Sequence, residues 1–216
     1  MSVRTAEQLS DKLSDELSWR KKELSELKSL VEIRNISLQR HGALIRSGVV
    51  ILYAHWEGFI KSASSYYLEF VAMQKLRYEQ LSSNFIALAM KAKLNAAKDT
   101  NKASLYIPVC DFFLSNLDQK CSLPYKDIIS TASNLSSEIL KEITHILGVE
   151  FSPYSTKSML IDTKLLEARN NIAHGNYWLI DREEYLELHI EVINMLNLFR
   201  NQIENAAINK DFVRKP

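Results

Sequence analysis

Residues 167–175 read Glu167-Ala168-Arg169-Asn170-Asn171-Ile172-Ala173-His174-Gly175 and end a helical pattern of apolar and polar residues. At about 100° per residue, Arg169, Asn170 and His174 share one broad arc of the helix, about 140° wide. Apolar residues of the same pattern fall together on another side, and these are Leu165, Ala168 and Ile172. The sequence therefore predicts a helix that buries one face in a core while a cation, an amide and an imidazole border a groove.

The glycine that follows this pattern predicts where the helix ends. Gly175 comes directly after His174, as expected of a left-handed C-terminal cap. His174 then lies in the last turn, close to the negative end of the helix dipole, which favours the protonated imidazole. A permanent cation and a switchable acid–base group on one segment suit chemistry on a phosphate.

Two separate stretches of the chain resemble those of one protein family. Arg169-Asn170-x-x-x-His174 resembles the R-x(4–6)-H signature of the HEPN superfamily (higher eukaryotes and prokaryotes nucleotide-binding domains), in which a polar residue commonly follows the arginine. Tyr53-Ala54-His55-Trp56-Glu57-Gly58-Phe59-Ile60 is similar to the second helix of a bacterial HEPN subgroup found in toxin-like and phage-defence ribonucleases. Together with the helical patterning, the resemblance implies an all-α, HEPN-like helical bundle with long first and second helices and an inserted helical segment in the middle.

Composition and length predict the class of protein. A chain of 216 residues can bury a full core, and 46% hydrophobic with 25% charged residues is ordinary for a soluble globular protein. The chain opens with charged residues and no apolar leader, and its longest apolar run, Gly48 to Ala54, is too short to cross a bilayer. We expect a single domain over 1–216, located in the cytoplasm, without a membrane partner.

Apolar periodicity divides the chain into predicted helices. A stripe of four-three spacing predicts a long amphipathic first helix over 8–40, and a strongly apolar pattern predicts the second over 43–78. Shorter patterns predict four more helices, over 84–98, 135–147, 158–174 and 182–207. Residues 99–134 read as a variable insertion with a short helix, and 208–216 as a ragged tail.

Capping residues mark two of these helix boundaries. Asn134 and Gly148 are expected to cap the two ends of the helix over 135–147. Asp181 and Glu184 have the spacing of a capping box that opens the last helix.

The net charge of +1 gives no indication of nucleic acid, but its distribution is uneven. Residues 71–104 hold six basic against two acidic residues, whereas 150–191 hold eight acidic against four basic residues. If RNA binds, the basic segment could supply phosphate contacts to a site whose own helices are acidic. The alternative is a solvated surface of lysines.

The HEPN resemblance implies metal-independent RNA cleavage in a cleft that two protomers form. In that reading His174 is the general acid or base, Arg169 contacts the scissile phosphate, and Asn170 orients His174 or the phosphate. The predicted function is an endoribonuclease of the toxin or phage-defence type, acting on RNA as a homodimer. A neutralising antitoxin or defence partner is implied as well. No cofactor or metal is predicted, because the sequence has no HExxH, no zinc-like Cys/His spacing and no phosphate-binding loop.

The residues by themselves leave alternatives open. His174 could instead stabilise the helix dipole while Arg169 pairs with Glu167 or Asp162. Glu57 either supports the motif, by bonding Arg169 or His174 from across the bundle, or pairs with Lys61 one turn later. His55 lies about 200° from Glu57 around the helix, so the two cannot face one site.

Two other function classes accompany these alternatives. The first is a non-catalytic HEPN module that binds nucleotide or RNA or serves as a dimeric scaffold. The second is a purely structural partner protein that associates through the stripe over 8–40.

Overall fold

The chain is built from helices in the part that the structure describes. A computed structural model of the protein describes residues 2–98, 102–131 and 134–215. Its α-helices are α1 (Ala6–Glu32), α2 (Leu38–Met73), α3 (Ser83–Lys98), α4 (Ile107–Ser115), α5 (Ser137–Leu147), α6 (Ser152–Ser155), α7 (Ala168–Ala173) and α8 (Arg182–Ile208). A π-helix, Leu160–Glu167, leads directly into α7. These residues form no strand, which confirms the prediction of an all-α fold.

The three longest helices, α1, α2 and α8, pack against one another around the core. α2 is the central element, and Trp56, Phe59 and Ile60 on it are fully buried. α2 also packs against α7, which places the motif helix beside the central helix of the fold. Within the described residues, no helix combines the length and the apolar character that a bilayer span requires.

The boundary between the first two helices differs from the one that the periodicity predicts. α1 ends at Glu32, because Ile33 turns to extended backbone (φ −63°, ψ 123°). The Ser37 hydroxyl then accepts a hydrogen bond from the Arg40 N–H at 3.4 Å and opens α2. The predicted helix over 8–40 is therefore wrong in its last turns. Leu38 is 85% exposed, so an α1 that continued to this residue would bury little more apolar surface. The Ser37 cap therefore determines where the chain becomes helical again.

Two further boundaries differ from the prediction. α2 ends at Met73 instead of 78, where Lys75 adopts a left-handed conformation with φ of 51°. α5 is capped by the Ser136 hydroxyl, which accepts from the Ile139 N–H at 3.2 Å, and not by Asn134. The cap at Gly148 (φ 69°) is confirmed, as is the capping box of Asp181 and Glu184.

The C-terminal residues belong to the packed fold, so the prediction of a ragged tail over 208–216 is wrong through residue 215. Phe212 is only 3% exposed and meets Phe70 of α2 edge to face, with ring centroids 5.6 Å apart. The backbone N–H of Arg214 donates to the Gln80 carbonyl at 2.8 Å. The predicted insertion over 99–134 contains α4, whereas 99–101 and 132–133 lie outside the described residues.

Gly48 allows the first turn of α8 to approach the first third of α2 closely. A Cβ atom at this position would lie 2.5 Å from Cε2 of Tyr185, whose ring is fully buried. We expect Gly48→Ala to cost about 1–3 kcal/mol of unfolding free energy through overpacking. This cost outweighs the gain of about 1 kcal/mol that alanine brings to a helix interior.

Gly42→Ala in the same helix is the matched control. Its Cβ atom would meet only the flexible end of the Arg46 side chain, at 3.3 Å. Thermal unfolding should therefore show a lower midpoint for Gly48→Ala and a raised midpoint for Gly42→Ala. Equal shifts of the two midpoints would contradict the close approach of Tyr185.

Candidate active site

The motif lies at the end of a helix whose first part is unusually wide. Residues 160–167 form the π-helix, a wider turn that is defined by backbone hydrogen bonds reaching five residues back instead of four. The chain returns to α geometry at Ala168, so Arg169 and Asn170 begin a regular α-turn. π-turns of this kind occur frequently at functional sites.

The motif helix ends in the left-handed cap that its sequence predicts. Gly175 has φ of 79° and donates its N–H to the Ile172 carbonyl at 3.1 Å. Asn176 donates its N–H to the Asn171 carbonyl at 2.9 Å, which completes a Schellman motif. His174 is the last residue before this reversal.

Arg169 is held against α2 by two side chains. Its Nη2 atom lies 3.8 Å from Glu57 Oε2, and its Cζ atom lies 4.1 Å from the centroid of the Tyr53 ring. The Arg169 and Glu57 side chains are 20% and 18% exposed, so the ion pair is mostly shielded from water. The guanidinium is therefore oriented by an anion at its edge and an aromatic face beneath it.

The partners of Arg169 are fixed in turn by the segment that precedes α5. The Thr131 hydroxyl donates a hydrogen bond to Glu57 Oε1. The Leu135 N–H donates to the Tyr53 hydroxyl at 2.6 Å. Burial raises the pKa of the Tyr53 hydroxyl above its usual value, and the adjacent Arg169 partly offsets this effect. Tyr53 therefore stays a neutral phenol at physiological pH.

The two other motif residues differ in their surroundings. The Asn170 amide donates from Nδ2 to Asn134 Oδ1 at 3.3 Å, so Asn134 contacts the motif instead of capping α5. His174 is exposed, and its ring makes no hydrogen bond or ion pair with any residue that the structure describes. The helix thus carries an anchored arginine and an open imidazole on one arc.

This geometry distinguishes between Arg169 and Lys61 as partners of Glu57, and it excludes Asp162 as the partner of Arg169. Glu57 forms its ion pair with Arg169, while Lys61 is exposed. Asp162 does not pair with Arg169 but accepts from the Ser137 N–H and hydroxyl, at 2.7 and 2.6 Å, at the start of α5. Glu57 thus binds the motif helix, whereas Asp162 binds the first turn of α5.

His55 faces away from the motif, as its angular position predicts. Its Nε2 atom lies 3.0 Å from Glu23 Oε2 on α1, and its ring contacts the Trp19 ring with centroids 5.1 Å apart. Burial lowers the pKa of His55, against the opposing effect of Glu23. This histidine belongs to the α1–α2 interface.

Two of the residues that surround Arg169, Thr131 and Tyr53, are not among the predicted site residues. No sequence pattern indicates Thr131, because this residue lies far from the motif along the chain. A pattern does indicate Tyr53, since it precedes Glu57 by one helical turn and therefore shares its face. Across the described part of the chain, no three His, Cys, Asp or Glu side chains are grouped as metal ligands would be.

A comparison with models of known protein families agrees with the HEPN resemblance. A family model described as HEPN_MAE_28990-like HEPN matches residues 9–212, which is nearly the whole chain. Curated proteins and solved structures give no significant match. HEPN domains are often ribonucleases, and they commonly act on RNA and dimerise. The chain belongs to the HEPN_MAE_28990-like family of the HEPN superfamily.

Proposed function

We propose that the protein is a metal-independent endoribonuclease in which Arg169, Asn170 and His174 form the site and Glu57 positions Arg169. The observation that carries this proposal is the pairing of an anchored guanidinium with an exposed imidazole five residues later. A guanidinium stabilises charge on a phosphate, and an imidazole exchanges protons near neutral pH. Both functions are needed to cleave RNA by its own 2′-hydroxyl.

In the proposed reaction His174 removes the proton from a ribose 2′-hydroxyl. The 2′-oxygen attacks the adjacent phosphorus atom, the bond from phosphorus to the 5′-oxygen breaks, and a protonated imidazole supplies the proton to the leaving oxygen. The products are a 2′,3′-cyclic phosphate and a 5′-hydroxyl end. Arg169 stabilises the charge that develops on the phosphate oxygens.

Asn170 and Glu57 have supporting roles in this proposal. One hydrogen of the Asn170 amide is donated to Asn134, and the second can be donated to a phosphate oxygen. Glu57 holds the guanidinium over the Tyr53 ring, so that its orientation is set before RNA arrives. Glu57 is therefore a positioning residue.

A homodimer completes this site. One chain supplies a single motif histidine, whereas the reaction uses a base and an acid on opposite sides of the phosphate. A two-fold axis beside α7 would bring His174 of each protomer into one groove. Membership of a family whose domains commonly dimerise supports this assembly.

The resemblance of the second helix to bacterial toxin and phage-defence ribonucleases supports a role in growth arrest. We propose that cleavage of cellular RNA halts growth and that a neutralising partner protein restrains it in cells. Induced expression of the wild type should then stop growth, whereas expression of His174→Ala should not.

A second candidate is a non-catalytic HEPN module that binds RNA or serves as a dimeric scaffold. The observation in its favour is that the Arg169 guanidinium already has Glu57 and Tyr53 as partners. In this reading the ion pair stabilises the bundle and the exposed His174 has no chemical task.

The test is incubation of the purified protein with total RNA and with tRNA in the presence of EDTA. We expect fragments whose 3′ ends can be extended only after the cyclic phosphate is removed enzymatically. Their 5′ ends should accept a labelled phosphate without prior treatment with a phosphatase. Intact RNA beside a folded, dimeric protein would favour the second candidate.

A further inference from the structure

The segment that joins α7 to α8 holds an aromatic ring at the surface beside the motif. Over 176–181 the side chains alternate, and Trp178 and Ile180 pack against the hydrophobic core. Tyr177 and Leu179 point the other way and are 79% and 80% exposed. Two inward anchors therefore fix the position of Tyr177, three residues after His174.

Arg46 of α2 covers one face of the Tyr177 ring. Its Cζ atom lies 5.6 Å from the ring centroid, within the range of about 6 Å for a cation–π contact. Because Tyr177 is 79% exposed, the opposite face of its ring is open to solvent. A ring that is backed by a cation and open on one side is suited to stacking with a planar base.

One face of α2 connects this ring with the Arg169 site. At about 100° per residue, Tyr53 and Glu57 each lie within about 20° of Arg46 around the helix. At a rise of about 1.5 Å per residue, Arg46 and Tyr53 are separated by about 10 Å along the axis. A dinucleotide can span this distance, with a phosphate at Arg169 and a base at Tyr177.

The charge of this end of α2 favours a polyanion. Residues 33–56 contain three arginines and no acidic residue, and these are Arg34, Arg40 and Arg46. Arg34 and Arg40 are exposed and can contact phosphates along a bound strand. These arginines come from a different part of the sequence than the acidic residues of 150–191.

We infer that Tyr177 and Arg46 form a base-binding subsite for single-stranded RNA next to the phosphate that Arg169 contacts. This inference rests on the proposed function and adds the substrate class to it. A base inside a duplex is stacked on both faces, whereas an unpaired base has a face free to stack on Tyr177. The protein therefore selects loops and single strands for cleavage.

The test measures binding of a short fluorescein-labelled oligouridine to the full-length His174→Ala protein by fluorescence anisotropy, so that cleavage does not interfere. When Tyr177→Ala is combined with His174→Ala in one chain, the affinity for the oligouridine should fall by about 5- to 150-fold. This is the range expected for the loss of one stacked base. Tyr177→Phe should bind like the parent, because it keeps the ring. Leu179→Ala is the matched control, since it removes an equally exposed apolar side chain from the same segment but no ring.

A second probe separates base from phosphate recognition. An oligonucleotide of equal length that carries abasic sites keeps every phosphate, so its affinity should not change with Tyr177→Ala. Equal weakening by Tyr177→Ala and Leu179→Ala, or a lower dimer fraction in sedimentation, would assign the segment to the interface between protomers and overturn the inference. Unchanged oligouridine binding by Tyr177→Ala overturns the subsite alone, whereas a parent protein that binds no RNA overturns the proposed function with it.

Discussion

Replacing His174 by alanine should lower the rate of RNA cleavage by about 10²- to 10⁴-fold while the thermal midpoint of unfolding stays where it is. The loss is large because the proposed reaction has only this imidazole, in two copies, to move protons. The midpoint is preserved because the side chain is exposed and makes no hydrogen bond or ion pair with the residues that the structure describes. Single-turnover cleavage of a labelled RNA and a thermal melt measure the two quantities.

The chain contains a closely matched control for this substitution. His145 is also exposed, also lies in the last turn of a helix, and also precedes a left-handed glycine, Gly148. Its interaction with the helix dipole resembles that of His174, yet it does not follow an arginine held against α2. His145→Ala should cleave RNA at the wild-type rate. If both variants cleave like the wild type, the activity comes from another site or from a contaminant.

Replacing Arg169 by alanine should lower the cleavage rate by about 10²- to 10³-fold, the usual effect of removing one group that stabilises transition-state charge. It should also destabilise the fold, because Glu57 loses the cation that its shielded carboxylate faces. We expect a loss of about 1–3 kcal/mol, which corresponds to a midpoint lower by about 2–12 °C in a chain of this size. Arg169→Lys should recover part of the stability and little of the rate, because an ammonium group cannot reproduce the flat contact with Tyr53 or bind a phosphate through two N–H groups.

Arg200→Ala separates the two effects of Arg169→Ala. The Arg200 guanidinium is similarly shielded and bonds Glu204 at 2.9 Å and the Ser14 hydroxyl at 3.1 Å. It lies on α8, outside the site. The control should lose a similar amount of stability and keep the wild-type rate at a temperature where both variants are folded. A fully active, destabilised Arg169→Ala protein would establish that the ion pair is structural and would favour the second candidate function.

The sequence is most informative about features that lie within one helix. The spacing from Arg169 to His174 and the following glycine define an arc and a cap, because helical geometry alone determines them. The opposite orientations of His55 and Glu57 follow from the same geometry. Such features need no knowledge of what packs against the helix.

Features that depend on neighbouring helices could not be predicted in the same way. Glu57 has three candidate partners in the sequence, Arg169, His174 and Lys61, and only the packing of α2 against α7 places Arg169 beside it. Thr131 completes the cluster from a segment that has no periodic pattern. Periodicity does not reveal the break after Glu32, because the apolar stripe continues through it. The local hydrogen bond to the Ser37 hydroxyl decides where α2 begins.

The π-helix ahead of the motif also has a consequence for how relatives of this chain should be aligned. A π-turn accommodates one residue more than an α-turn, so the segment Leu160–Glu167 behaves as a one-residue insertion that the helix absorbs without a bulging loop. A homologue that lacks the one additional residue of the π-helix would have a regular α-helix there. Its arginine and histidine would still point in the same direction. In an alignment with such a homologue the one-residue gap would belong within 160–167, and shifting it into the motif would pair the wrong side chains. The equivalent motif residues of a relative should therefore be located by counting back from its histidine and not by counting forward from the start of the helix.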